Sequence, residues 1–209
     1  EELESKLRTI PWIFFRKKEA RFYTYGKSTA YIKGYIGEAS REWINNNSSL
    51  DYRAGDIIGQ SALERNFEKT LRGEVGYILY KKDSEGNKSE LMKKKKKNGS
   101  DIKTTIDIRI QQIVFDEMKD KKGAVIVLEP ESGKIVAMYS NPSYDPNQFS
   151  LGVSQEKWNS LKNDNNLAML NRATQGLYPP GSTFKIITAA AALNEKIVDI
   201  DSKFIDKGE

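Results

Sequence analysis

The sequence predicts an α+β fold, with helices packed on antiparallel sheet, and three patterns predict it. Two pairs of strand-forming segments each flank a short turn-forming stretch. Tyr77–Tyr80 and Glu90–Met92 surround Asp83-Ser-Glu-Gly-Asn87, while Gly123–Leu128 and Lys134–Ser140 surround Glu131-Ser-Gly133. Connections this short join antiparallel strands, because parallel strands need a long crossover. Between the hairpins, Ile110, Ile113, Val114 and Met118 recur at helical spacing within Asp107–Lys119. A second helix, rich in alanine, follows Tyr178-Pro179-Pro180-Gly181.

Taken in order, residues 1–18 contain a short helix and an aromatic-basic segment, Pro11–Lys18, read as a core-forming strand flanked by solvated charges. Arg21–Gly26 and Ala30–Gly37 show alternating apolar positions. Gly55–Gly76 reads as loop, helix and glycine-bounded turn, with Glu64 and Arg72 either surface charges of no consequence, the default, or bracing ion-pair members. Asn98-Gly99-Ser100 has turn composition and divides the chain into domains at 1–100 and 101–209. Thr104–Asp107 alternates like a strand. Gly123–Leu128 is almost continuously apolar and suits the middle of a sheet. From Pro142 to Leu177 the chain is a loop-rich approach, with one short helix near Gln155–Lys162.

Composition narrows the chemistry. The 209 residues are 38% hydrophobic and 30% charged, with a net charge of +5. No run of about 18 apolar residues exists to cross a membrane. The chain opens at Glu1 without a visible signal peptide, so it is expected to be a piece of a longer polypeptide. It has neither histidine nor cysteine. A Ser-His-Asp triad, a cysteine nucleophile and the usual His/Cys zinc site are therefore excluded within these residues. The charge is modest and dispersed and no nucleic-acid motif is present, so nucleic acid is not an expected partner. The run Lys93–Lys97 reads as a solvated edge strand, with anionic wall polymer or phospholipid heads as the alternative ligand.

Lysine is then the only ordinary base left for a serine nucleophile, and S-x-x-K occurs three times. Ser100 and Lys103 lead into the strand-like stretch, where a period of two separates them onto opposite faces. Ser154 and Lys157 open a polar helix anchored by Trp158, where the serine is a cap and the lysine a solvated charge. Ser182 and Lys185 open the apolar helix Ile186–Leu193. Helical spacing puts them one turn apart on one face. A serine there is either a helix cap or a nucleophile whose proton passes to a neutral lysine amine.

Pro180-Gly181-Ser182-Thr183-Phe184-Lys185 before an Ile/Ala-rich helix resembles the active-site serine motif of penicillin-binding proteins, which share S-x-x-K with serine β-lactamases. Gly123–Pro130, Ser132–Asp145, Asn171-Arg172-Ala173 and Thr104–Gln111 are similar to segments that open the transpeptidase domain of that family. Arg21–Gly26 and Ala30–Gly37 are similar to its R-x-Y-P-x-G and H-x-x-G-Y-x-G segments, with Thr24 for the proline and Tyr31 for the histidine. Gly59–Glu64 and Leu71-Arg72-Gly73 resemble G-x-x-G-L-E and L-x-G, with Ala62 at the second glycine. Within the family the chain resembles the class B, monofunctional type, and its lysine-rich stretch resembles the low-affinity Gram-positive members.

The resemblance implies a non-catalytic dimerisation or pedestal domain at 1–100 and the opening of a β-lactamase/transpeptidase-like domain at 101–209. It implies a peptidoglycan D,D-transpeptidase with catalytic Ser182 and Lys185 and with neither cofactor nor metal. D-Ala-D-Ala stem peptides and β-lactams are the implied ligands. Cell-wall synthesis proteins are implied partners, and an anchor outside this chain would hold it on the extracytoplasmic face of the membrane. The family's S-x-N and K-[ST]-G motifs do not occur after Lys185, so these 209 residues alone are expected to be inactive. A non-catalytic scaffold of the wall-building machinery and a β-lactam sensor are the rival readings.

Overall fold

The computed structural model describes Leu7, Thr9, Ile10, Trp12, residues 20–205 and Gly208. The expected helix in residues 1–18 and the segment Pro11–Lys18 lie outside the described residues, apart from these four positions. The chain divides into two compact units, residues 1–175 and 176–209.

In the first unit, a 3-10 turn at Gly26–Thr29 leads into α1 (Ala30–Lys33), β1 (Ile36–Glu38), α2 (Arg41–Asn46) and β2 (Ile57–Gly59). Then come α3 (Ala62–Asn66), α4 (Glu68–Arg72), β3 (Tyr77–Lys82) and β4 (Lys88–Lys94). After these follow α5 (Ile108–Glu117), β5 (Gly123–Leu128), β6 (Ile135–Asn141), α6 (Gln155–Lys162) and α7 (Arg172–Gln175). The described strands form three antiparallel pairs, β1-β2, β3-β4 and β5-β6. The mixture is the expected α+β one, and both predicted hairpins form.

The first of those hairpins turns at Asp83, whose carboxylate accepts from the backbone N–H groups of Glu85 and Asn87. An aspartate at this place organises the turn through its own backbone. Asp107 accepts from Arg109 N–H and caps α5, which then lies against β6. The Arg109 guanidinium, bonded to both carboxylate oxygens at 3.1 and 2.6 Å, and then the Arg109 N–H hold its carboxyl down at about 2, so the cap stays ionised through the ordinary pH range.

Two regions depart from the period-two reading. Within 21–37 only Ile36–Glu38 is a strand. Tyr25 (φ 75°), Gly26 (φ 42°) and Gly34 (φ 81°) turn the backbone out of the extended region. A Cβ on Gly34 would stand 2.0 Å from the Ser61 carbonyl oxygen, so this approach requires glycine. Thr104–Asp107 is also not a strand. There Thr105 Oγ1 donates to Ile135 O at 2.6 Å and Asp107 N–H donates to Val136 O at 2.9 Å, which commits the segment to holding β6. Strand β5 has a described neighbour on one side alone, and Ile126 and Leu128 are exposed rather than central.

One core cluster joins sequence from both sides of residue 100. Ala30 and Tyr31 pack with Tyr144 and Phe149, against Tyr35, Val153, Trp158, Leu161 and Met169. Tyr31 meets Tyr144 edge-on, with centroids 5.4 Å apart, and its hydroxyl donates to Ala168 O. Burial pushes the hydroxyls of Tyr31 and Tyr144 up, that of Tyr144 to about 12. The tyrosine that replaces the family histidine is thus a neutral packing residue. A second cluster, Ala39, Tyr52 and Ile58, is closed by Arg72, whose guanidinium stacks 3.5 Å from the Tyr52 ring centroid and pairs with Asp56 at 2.8 Å. Glu64, the other expected brace, is buried and pairs with Arg21 at 3.1 Å.

Candidate active site

The second unit carries the third S-x-x-K copy. Pro179 and Pro180 cannot donate backbone hydrogen bonds and Gly181 has φ 55°, so no helix runs through them. Gly181–Phe184 forms a 3-10 turn, and α8 (Lys185–Asn194) continues directly from it. Ser182 is therefore not a helix cap. It lies inside the 3-10 turn, and neither this turn nor α8 has a side-chain cap. That removes the structural role that competed with the nucleophile role.

The Lys185 backbone N–H donates to the Ser182 carbonyl oxygen. This bond fixes the two residues one turn apart at the head of an apolar helix. The turn is braced by the Thr183 hydroxyl donating to Pro180 O, and the first turn of α8 by Thr188 Oγ1 donating to Phe184 O at 3.3 Å. Both Ser182 and Lys185 are exposed, and among the described residues no hydrogen bond joins hydroxyl to amine. Ile186 is 76% exposed and Ile187 58%, and Ala189, Ala190 and Ala191 are exposed with them. The arrangement presents a hydroxyl and an amine from one backbone turn, both on exposed residues. Among the described residues of the second unit, no further polar side chain is hydrogen-bonded to either group.

The other two copies are placed differently. Ser100 and Lys103 lie in irregular chain, with Ser100 N–H donating to Thr70 O. Ser154 caps α6, its hydroxyl accepting from Lys157 N–H at 3.2 Å, and Trp158 anchors that helix against Phe149. A cavity of about 580 Å³ in the first unit is lined by Tyr31, Tyr35, Ser61, Leu63, Met138 and Asn171 among others, and its lining includes neither Ser182 nor Lys185. No group of carboxylates able to hold a metal ion occurs among the described residues.

The first unit contains two buried polar hubs, Arg172 and Gln111, in segments that the resemblance named without giving either residue a role. Arg172 donates through its guanidinium to Leu167 O at 3.1 Å and to Asn166 O. Its backbone N–H reaches the Ser140 hydroxyl at 3.0 Å. These bonds tie the loop before α7 to β6. Gln111, fully buried on α5, donates to Ser28 O and to Met138 O and accepts from Met138 N–H. It thereby locks the helix, the strand and the N-terminal turn together. A polar residue among Ile110, Val114 and Met118 was the available signal.

Comparison with known proteins agrees with this architecture. Residues 1–104 match the penicillin-binding protein dimerisation domain, and residues 123–209 match the penicillin-binding protein transpeptidase domain. The peptidoglycan D,D-transpeptidase MrdA of Escherichia coli is 34% identical over 95% of this chain and 32% of its own length. Penicillin-binding protein 3 of Bacillus subtilis is 34% identical over 100% of this chain and 31% of its own. Among solved structures, PBP2 of Helicobacter pylori in complex with MreC superposes with a TM-score of 0.79 at 26% identity, covering 99% of this chain and 40% of that one. Pseudomonas aeruginosa PBP2 in complex with WCK 5153 gives a TM-score of 0.74 at 30% identity, covering 90% and 38%. The chain belongs to the penicillin-binding protein family. It spans about a third of the length of the curated relatives it matches.

Proposed function

We propose that the protein to which these residues belong is a peptidoglycan D,D-transpeptidase, with Ser182 as nucleophile and Lys185 as proton acceptor. The observation that carries this reading is the backbone bond from Lys185 N–H to Ser182 O, which keeps the pair one turn apart in a chain with no histidine or cysteine. Ser182 Oγ attacks the penultimate D-Ala carbonyl of a stem peptide as its proton passes to the Lys185 amine. The terminal D-Ala leaves with a proton returned to its nitrogen. An amine from a neighbouring stem then resolves the ester and frees the serine. β-Lactams acylate the same hydroxyl. The Ser182 N–H, on a turn that opens a helix, serves the developing oxyanion.

In this reading residues 1–100 are the non-catalytic domain and residues 101–209 open the transpeptidase domain. The protein works on the extracytoplasmic face of the cell membrane, and the relative solved with MreC supports a protein partner of the wall-building machinery. The 209 residues alone lack S-x-N and K-[ST]-G after Lys185 and are proposed to be inactive. The test is labelling by a fluorescent penicillin at the length of the relatives. Ser182→Ala abolishes labelling, and Lys185→Ala slows it by about 100-fold to 10,000-fold. Full-rate labelling of Lys185→Ala contradicts the assigned base, while labelling of Ser182→Ala contradicts the nucleophile.

A further inference from the structure

The hairpin of β3 and β4 buries neither face, since every residue of both strands is exposed. An isolated two-stranded hairpin is marginal in water, and exposed apolar side chains that cluster mark a contact surface. Register places Tyr77, Leu79 and Met92 on one face and Ile78 and Tyr80 on the other, with Leu91 as the extra residue of a bulge. Lys81 and Lys94 interleave with the first set, and Lys82, Lys88 and Lys93 with the second. Residues 74–97 hold eight lysines against four carboxylates, a net +4 of the chain's +5. Lys94 and Lys97 pair with Glu74 at 3.3 and 3.5 Å. Lys93, Lys95 and Lys96 have no ion-pair partner among the described residues.

We propose that this hairpin docks on an anionic phospholipid surface, with its tyrosines and aliphatic side chains at the headgroup boundary and its lysines on lipid phosphates. Both halves of its chemistry find a partner there. Tyrosine rings favour the membrane–water boundary, and lysine stems lie along apolar surface while the ammonium reaches out. A soluble polyanion takes the lysines and leaves six apolar side chains wet. An apolar protein groove takes those six and strands the lysines. A second copy, paired edge to edge, sets lysine-rich strands side by side. The interface of an anionic bilayer accommodates all of them. The proposal does not depend on acyl transfer, so vesicle binding and penicillin labelling succeed or fail separately.

The experiment is flotation of the 209-residue chain with vesicles of equal parts phosphatidylglycerol and phosphatidylcholine, and with phosphatidylcholine alone. Binding to the anionic vesicles is expected, weakening as salt is raised. Replacing Lys93, Lys95 and Lys96 together by Gln is expected to lower it on the order of 100-fold, at about fivefold per lysine. Leu91→Glu, at an exposed bulge where no core is disturbed, is expected to lower it about tenfold or more at low salt. Failure to float with anionic vesicles overturns the proposal, and so does equal binding to neutral ones. Unchanged binding by Leu91→Glu beside loss in the lysine variant, with soluble polyphosphate competing fully, assigns the surface to a polyanion instead. Concentration-dependent dimerisation lost in Leu91→Glu, without vesicle binding, assigns it to a second copy.

Discussion

At the scale of single residues, the framework rests on buried polar groups that have their partners. Gln111 is the clearest. Gln111→Leu keeps the volume close but leaves Ser28 O, Met138 O and Met138 N–H without their acceptor or donor. Unpaired buried groups cost about 1–3 kcal/mol each, so a loss of at least about 2 kcal/mol is expected in denaturant unfolding. A loss below half of that would mean water replaces the side chain. Ala62 makes the opposite prediction. It begins α3 at φ 47°, where the family pattern has glycine. The left-handed conformation costs a residue with a Cβ about 1–2 kcal/mol, against about 0.5–1 kcal/mol of extra chain entropy for glycine. Ala62→Gly should therefore stabilise by about 0.5 kcal/mol, read as a raised midpoint, and a lowered midpoint contradicts this. The motif departures were legible in the sequence. Their outcomes were not, because Tyr31 acquires its role from Ala168 and Tyr144, more than 100 residues away.

At the scale of elements, local signals succeeded where chemistry is local. Asp83 and Asp107 hold their turn and cap through backbone N–H groups a few residues on, so composition alone located them. Ser154 does the same for α6. Ser154→Ala should destabilise by about 1 kcal/mol, and the loss should disappear in Ser154→Asp, which caps equally well. An unchanged midpoint in Ser154→Ala shows that Trp158 alone holds the helix. Period-two reading failed at 21–37, where Tyr25, Gly26 and Gly34 sit at positive φ and apolar residues are buried by tertiary contact instead of by a sheet face. It failed again at Thr104–Asp107, which is irregular chain bonded to β6. Capping logic left Ser182 open, since a cap is the local default there. A 3-10 turn continuous with the helix leaves the hydroxyl without that duty. The same local default described Ser154 correctly, so the pattern S-x-x-K does not by itself distinguish the two roles.

At the scale of the whole molecule, the boundary drawn at Asn98-Gly99-Ser100 falls inside the first compact unit, and the cluster of Tyr31, Tyr144 and Phe149 is built from both sides of it. Turn composition marks where a chain bends, whereas packing depends on residues distant in sequence. The Ser182 turn and the apolar helix behind it stand in the second unit with Ile186 and Ile187 exposed. The relatives are about three times as long as this chain. The central claim, that Ser182 forms an acyl-enzyme with Lys185 taking its proton, belongs to this scale, because acylation needs the site assembled. The most direct measurement is the mass of the proteolytic peptide bearing Ser182, after the protein at the length of its relatives has met a penicillin. The account predicts one added penicillin on Ser182, and a Lys185→Ala protein in which that peptide stays mostly unmodified over the same interval. An adduct on a different residue, or a fully modified Ser182 without the lysine, would contradict it.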